Sequence, residues 1–176
     1  MTISIDIQMA CSSQEGLEEA PEEDSMRRWV RAALRNERET VELSVRIVDE
    51  QESATLNQQY RGKTGPTNVL SFPFDAVTPE PLPILGDLVI CAPVVAREAS
   101  EQHKTLDAHW AHMCVHGVLH LLGYDHMGAR DAEVMEALET TILLGLGYPA
   151  PYSYDECSSL KQSLQEPETY SDSEEQ

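Results

Sequence analysis

All six histidines of the 176-residue chain, His103, His109, His112, His116, His120 and His126, fall between positions 103 and 126. Random placement would scatter them, so the cluster needs a physical cause. His116 and His120 stand four residues apart, a spacing that on a helix puts both Cβ atoms on one face, about 5–6 Å from each other. Two imidazoles so placed can reach one small cation. Gly123 lets the backbone leave the helix, and a turn through Tyr124 and Asp125 can return His126 to the same ion. Three protein ligands leave a fourth position for water, the arrangement of a catalytic rather than a closed structural zinc. Zinc lowers the pKa of such a water to about 7 and polarises carbonyl or phosphoryl oxygens. The expected chemistry is therefore hydrolysis, with one Zn2+ held by His116, His120 and His126, although three imidazoles also suit nickel, copper or iron.

A lone histidine pair at this spacing is weak evidence, but the string from His116 through His120 and Gly123 to His126 has the full ligand spacing of the metzincin proteases. Those proteases carry a glutamate after the first histidine as general base. Here that position is Gly117. Peptide hydrolysis by their route is accordingly not expected.

The run His116-Gly-Val-Leu-His120-Leu-Leu-Gly123-Tyr124-Asp125-His126 resembles the signature of the bacterial YbeY family, zinc-dependent endoribonucleases of ribosomal RNA maturation. Leu56-Asn57, Tyr60-Arg61-Gly62, the stretch Pro66 to Pro73, and Gly86-Asp87 before an apolar run are similar to that family's other motifs. The resemblance covers residues 40–147. It implies zinc binding at His116, His120 and His126 and a functional role for Arg61. A guanidinium is a rigid, permanently charged fork suited to phosphate, so Arg61 on a Gly-rich loop can hold the scissile group or its developing charge. Several neighbours stay open to more than one reading. His112 can be a partner of a ligand, a proton carrier or a polar face residue. Asp125 can orient a ligand or cap the turn, Asp87 can orient a ligand or stabilise its own loop, and Tyr124 can touch a base or pack in the core.

The elements that must position these residues are legible in part. Residues 1–10 alternate Ile3, Ile5, Ile7 and Met9 with polar residues, as a first strand does. Met26, Trp29, Val30, Ala33 and Leu34 recur at helical spacing, and Val41, Leu43, Val45 and Ile47 alternate as a half-buried strand. Asp49 with Glu52 predicts a capping box opening a helix through Tyr60. Val69 to Phe72 and Gly86 to Cys91 are short strand candidates that could pair, separated by a Pro-rich loop at 79–83. Pro93 fits the first turn of a helix towards Lys104. A second helix from Asp107 carries the histidines and stops at Gly123, and a last one spans Arg130 to Leu144. Strands early and helices late imply a single α+β domain, a small mixed β-sheet packed with about five helices, one of them a zincin-like metal-binding helix.

Net charge is −19 at pH 7, which by itself disfavours a nucleic-acid partner. Its distribution alters that judgement. Residues 1–24 hold seven acids and no Lys or Arg, and residues 151–176 hold seven acids and Lys161, leaving 17 acids and 11 bases in residues 25–150, a net of −6. The segment 11–24 reads as an acidic connector and 151–176 as an acidic tail, expected to be disordered. The catalytic core is then residues 25–150 together with the strand at 1–10. Arg27, Arg31, Arg35 and Arg38, with Arg28 alongside, would form a basic stripe on the first helix. Alone it reads as a solvated face, and in an RNA enzyme as a phosphate track. Cys11, Cys91, Cys114 and Cys157 lack any C-x-x-C pairing and read as reduced thiols, Cys114 as a buried packing residue. No apolar run approaches the roughly 20 residues of a membrane span, and the first ten residues lack a signal-peptide pattern, so a soluble, cytoplasmic protein is expected.

These readings converge on a metal-dependent endoribonuclease with His116 and Arg61 as catalytic residues. The family resemblance further implies single-strand-directed cleavage of ribosomal RNA precursors at the small subunit, in late 16S 3′-end processing and ribosome quality control. The rivals are a zinc metallopeptidase and a non-catalytic ribosome-assembly protein that binds RNA around a structural zinc.

Overall fold

The computed structural model describes residues 1–12, 19–80, 82–125 and 128–152. His126, connector residues 13–18 and tail residues 153–176 lie outside them. Four strands, β1 (Thr2–Met9), β2 (Thr40–Val48), β3 (Val69–Pro73) and β4 (Ile84–Cys91), form one sheet in the order β1-β2-β4-β3. β1, β2 and β4 run parallel, and β3 is antiparallel to β4, pairing Val69 with Ile90 and Phe72 with Asp87. The mixed sheet follows from the connections: helices return the chain to parallel neighbours, while a loop joins β3 to β4 as a hairpin. Among the described residues five helices pack on it, α1 (Glu23–Leu34), α2 (Glu50–Arg61), α3 (Ala92–Glu101), α4 (Leu106–Leu121) and α5 (Ala129–Gly145). The α+β expectation and the pairing of the two short strands hold.

Alternation in β2 puts Val41, Leu43, Val45 and Ile47 into the main core with Leu88 and Ile90 of β4, against Met26, Trp29, Val30, Ala33 and Leu34 of α1. The predicted apolar face of α1 is buried throughout. The other face of the sheet carries a smaller cluster, Val48, Leu70, Val89, Cys91 and Val94, with Leu56 of α2 against it. α4 lies in the middle of the domain and is buried nearly all round, so even His109 and His112 are inside. Thr105 caps its start, accepting from the Ala108 N–H at 3.2 Å, which opens the helix one residue before the predicted Asp107. No helix among the described residues is long and apolar enough to cross a membrane.

Two local expectations fail for identifiable reasons. α1 ends at Leu34 because Arg35 (φ 49°) and Asn36 (φ 61°) turn left-handed. Arg35 and Arg38 therefore leave the helix, and the basic stripe is broken. Of its members, Arg27 donates to the Ile3 carbonyl at 2.6 Å, Arg28 to the Tyr148 hydroxyl at 3.3 Å, and Arg35 to the Tyr124 hydroxyl at 2.7 Å, each joining segments distant in sequence. The capping box at α2 is not formed either, although the helix is. The Asp49 carboxylate instead accepts from Cys11 Sγ at 2.8 Å and from Ser12 N at 2.9 Å, and Glu52 pairs with Arg46 at 2.7 Å. Anchoring the chain as it leaves β1 takes the oxygens that the cap would have used.

Candidate metal centre and substrate cleft

α4 packs directly on the sheet at Gly117. A Cβ there would sit 2.7 Å from Leu88 Cδ2 and 3.3 Å from Val69 Cγ2, and the Gly117 carbonyl accepts from Ser71 Oγ at 3.1 Å. Position 117 thus faces the sheet, not open space, which is a physical reason for glycine where the proteases carry glutamate. The same contact fixes the rotation of α4. His116 and His120, their ring centroids 4.7 Å apart, line a cleft of about 360 Å³ together with Tyr60, Arg61 and the β3 residues Val69 to Pro73. The cleft brings together three of the four site residues expected from the sequence. The fourth, His126, lies outside the described residues, just past Gly123, whose φ of +100° turns the chain away from the helix as expected.

Arg61 reaches the cleft from the last turn of α2 and not from the Gly-rich loop, which begins at the left-handed Gly62. That loop is folded back on α2 by two buried polar side chains. Ser53 Oγ donates to the Thr67 carbonyl at 2.9 Å and accepts from its N–H at 3.0 Å, and Asn57 Nδ2 donates to the Gly65 carbonyl at 2.8 Å. Through these bonds the two side chains tie the loop to the helix that presents Tyr60 and Arg61.

Behind the histidines stands Glu139 of α5, fully buried and missed in the sequence reading. Its carboxylate accepts from His116 Nδ1 and from the Tyr152 hydroxyl, and lies 3.3 Å from His112 Nε2. Burial alone would raise its pKa, but the hydrogen bonds from His112 and His116 outweigh that and hold it below the usual carboxylate range. Burial pushes the His112 pKa down, against the pull of Glu139, and burial together with the Glu139 charge pushes the Tyr152 hydroxyl up. His112 is therefore buried against Glu139 and is not a polar surface residue. A signal existed in the sequence: Glu139 falls four residues after Met135 and three before Ile142, an acid on an apolar helix face that must have a partner.

Tyr124 and Asp87 sit elsewhere. The Tyr124 hydroxyl is taken by Arg35 and its ring packs against the core. Asp87 accepts from Ser44 Oγ on the far face of the sheet, so it orients neither a histidine nor its own loop. Asp125 is exposed. Metal-binding capacity itself is present, for one ligand atom from each of His112, His116 and Glu139 lies within 4.8 Å of the others, a donor set that could hold an ion.

A family model described as Endoribonuclease YbeY matches residues 8–147. The chain belongs to the YbeY endoribonuclease family. Membership makes it a hydrolase that acts on RNA in ribosomal RNA maturation. The YbeY match begins well before the motifs read at 40–147 and so takes in the connector and α1. The fold is also similar to the solution structure of TM1509 from Thermotoga maritima, with 25% identity over 94% of this chain and 99% of that one and a TM-score of 0.54.

Proposed function

We propose that this cleft cleaves phosphodiester bonds in single-stranded segments of ribosomal RNA precursors, at the 3′ end of 16S RNA on the small subunit in the cytoplasm, and serves ribosome quality control there. The observation that carries the reading is the meeting of Arg61 with His116 and His120 in one cleft. His116, His120 and His126 would hold one Zn2+, and the imidazole pair on adjacent turns fits such an ion. The bound ion would supply a Lewis acid for a phosphoryl oxygen and a water acidified to a pKa of about 7. Arg61 holds the nonbridging oxygens by paired, charge-assisted hydrogen bonds and opposes the charge that grows on them during cleavage. Glu139 keeps the Nδ1 proton of His116 on the buried side, which turns Nε2 to the cleft. Gly117 offers no base, and a glutamate there would drive into Leu88, which removes the ground for peptidase chemistry.

Two donor sets share His116, the cleft histidines and the buried group with His112 and Glu139. Metal content of purified variants separates them, with cleavage of a precursor RNA measured in parallel. His120→Ala is expected to lose both metal and cleavage, and His112→Ala to keep its metal. Arg61→Ala keeps its metal and loses roughly 100- to 1,000-fold in turnover, as removal of one transition-state donor does. Metal lost in His112→Ala but retained in His120→Ala would move the ion to the buried set and favour a structural role. A His116→Ala protein that cleaves like wild type would sink the mechanism. Product ends give the nucleophile: a 2′,3′-cyclic phosphate means 2′-OH attack, and linear ends mean water.

A further inference from the structure

Arg61 and the cleft histidines face the phosphate, and Tyr60 beside them has no part in that chemistry. Tyr60 is 61% exposed, although it stands at the mouth of the cleft beside Arg61. Its ring meets Phe72 of β3 edge to face, with centroids 4.9 Å apart and planes at 70°. The pair lines both the metal cleft and a shallow concavity over the far face of the sheet, which Arg46 and Gln8 also line. An aromatic ring this large left mostly in water gains little from Phe72 alone. Its backbone belongs to the last turn of α2, onto which Ser53 and Asn57 tie the 65–67 loop, and its ring rests on the edge of Phe72.

We propose that Tyr60, backed by Phe72, is a subsite for one unpaired nucleobase next to the scissile phosphate. The inference rests on the RNA-cleavage reading of the cleft. Every base has a π face, and a rigid tyrosine offers a stacking surface at small conformational cost. Arg61 and Tyr60 both line the cleft from the last turn of α2, so a charged fork and an aromatic ring meet at one mouth. These are the two features a single-stranded nucleotide carries in its phosphate and its base. A paired base is already stacked within its helix and cannot be offered to Tyr60 without being unpaired. The subsite therefore selects single-stranded RNA by geometry, with tolerance for base identity.

The test measures binding of a short 2′-O-methyl single-stranded RNA to the metal-loaded protein by fluorescence anisotropy, using a set of oligonucleotides in which each position in turn lacks its base. Tyr60→Ala is expected to bind about 5- to 150-fold more weakly than wild type, the range of one lost base–aromatic stack, while Tyr60→Phe and Tyr60→Trp bind like wild type. Metal content and melting temperature should match wild type in all three, since the side chain is mostly exposed. Removing the stacked base should weaken binding to wild type and leave binding to Tyr60→Ala unchanged. Equal affinity of Tyr60→Ala and wild type, or equal sensitivity of both to every missing base, would overturn the subsite while leaving the cleavage reading intact. A wild-type protein that neither binds nor cleaves RNA would overturn both.

Discussion

At Glu139 a single buried carboxylate serves three donors, and its removal separates packing from metal binding. Glu139→Gln keeps the shape but replaces a charged acceptor with an amide that satisfies three donors poorly. Metal affinity, measured by competition with a chelator, is expected to fall roughly 10- to 100-fold, the usual consequence of losing a partner behind a ligating histidine. Glu139→Ala should in addition destabilise the fold by about 3 kcal/mol in urea titrations, because His112 is left buried without its charged partner. Metal affinity unchanged in Glu139→Gln would assign the residue to packing alone. Cys114 shows the opposite use of burial. Its thiol, fully enclosed, is pushed up to about 12, so almost no thiolate forms near neutrality. Native protein treated with a thiol reagent at pH 8 is expected to remain unmodified at Cys114, and unfolded protein to be labelled there, as peptide mass mapping would show.

Between elements, two contacts set where the cleft lies. Gly117 brings α4 down on Leu88 and Val69, and Gly117→Ala should cost about 1–3 kcal/mol by overpacking that contact. A melting temperature equal to wild type would mean the sheet yields more easily than its packing implies. Glu98 of α3 joins three elements, accepting from Asn68 Nδ2 at 3.0 Å and meeting His109 Nε2 of α4 at 3.3 Å. Burial alone would raise its pKa, yet the bonds with His109 and Asn68 carry it below the ordinary carboxylate value. The native carboxylate thus stays ionised where the unfolded chain takes up a proton. Its contribution is complete above the unfolded value of about 4.3 and is lost as pH falls towards the lower folded value. Urea midpoints measured from pH 6 to pH 3 should decline less steeply in Glu98→Gln than in wild type. Parallel declines would deny Glu98 that linkage.

For the whole molecule, the question is how a chain with a net charge of −19 meets RNA. Arg27, Arg28 and Arg35 are engaged in holding the fold, so the first helix does not offer the continuous phosphate track its sequence implied. Residues 153–176 hold seven acids and one lysine, so a chain ending at Tyr152 has a formal net charge of −13. Weaker repulsion predicts tighter RNA binding by the truncated chain at low salt, with the two affinities converging as salt shortens the Debye length from about 30 Å at 0.01 M to about 8 Å at 0.15 M. Identical affinities at both salt concentrations would show that the tail charge does not reach the RNA.

The sequence by itself determined the periodic elements, because the apolar faces of α1 and β2 repeat at the spacing of their own geometry. It also marked His116, His120 and Arg61 through motif and ligand spacing, which are local properties of the chain. Tertiary structure decided what local spacing cannot carry. It brought Arg61 from α2 into one cleft with the histidines of α4, faced Gly117 into the sheet, and set Glu139 of α5 behind His116, each a juxtaposition of residues distant in sequence. It also overruled local rules where a distant partner competed better. Asp49 gave up its helix cap to hold Cys11 and Ser12, and the arginine stripe ended where the backbone turned left-handed at Arg35. The acid on the apolar face of α5 was visible as a misfit in the sequence, but its partners were named by packing alone.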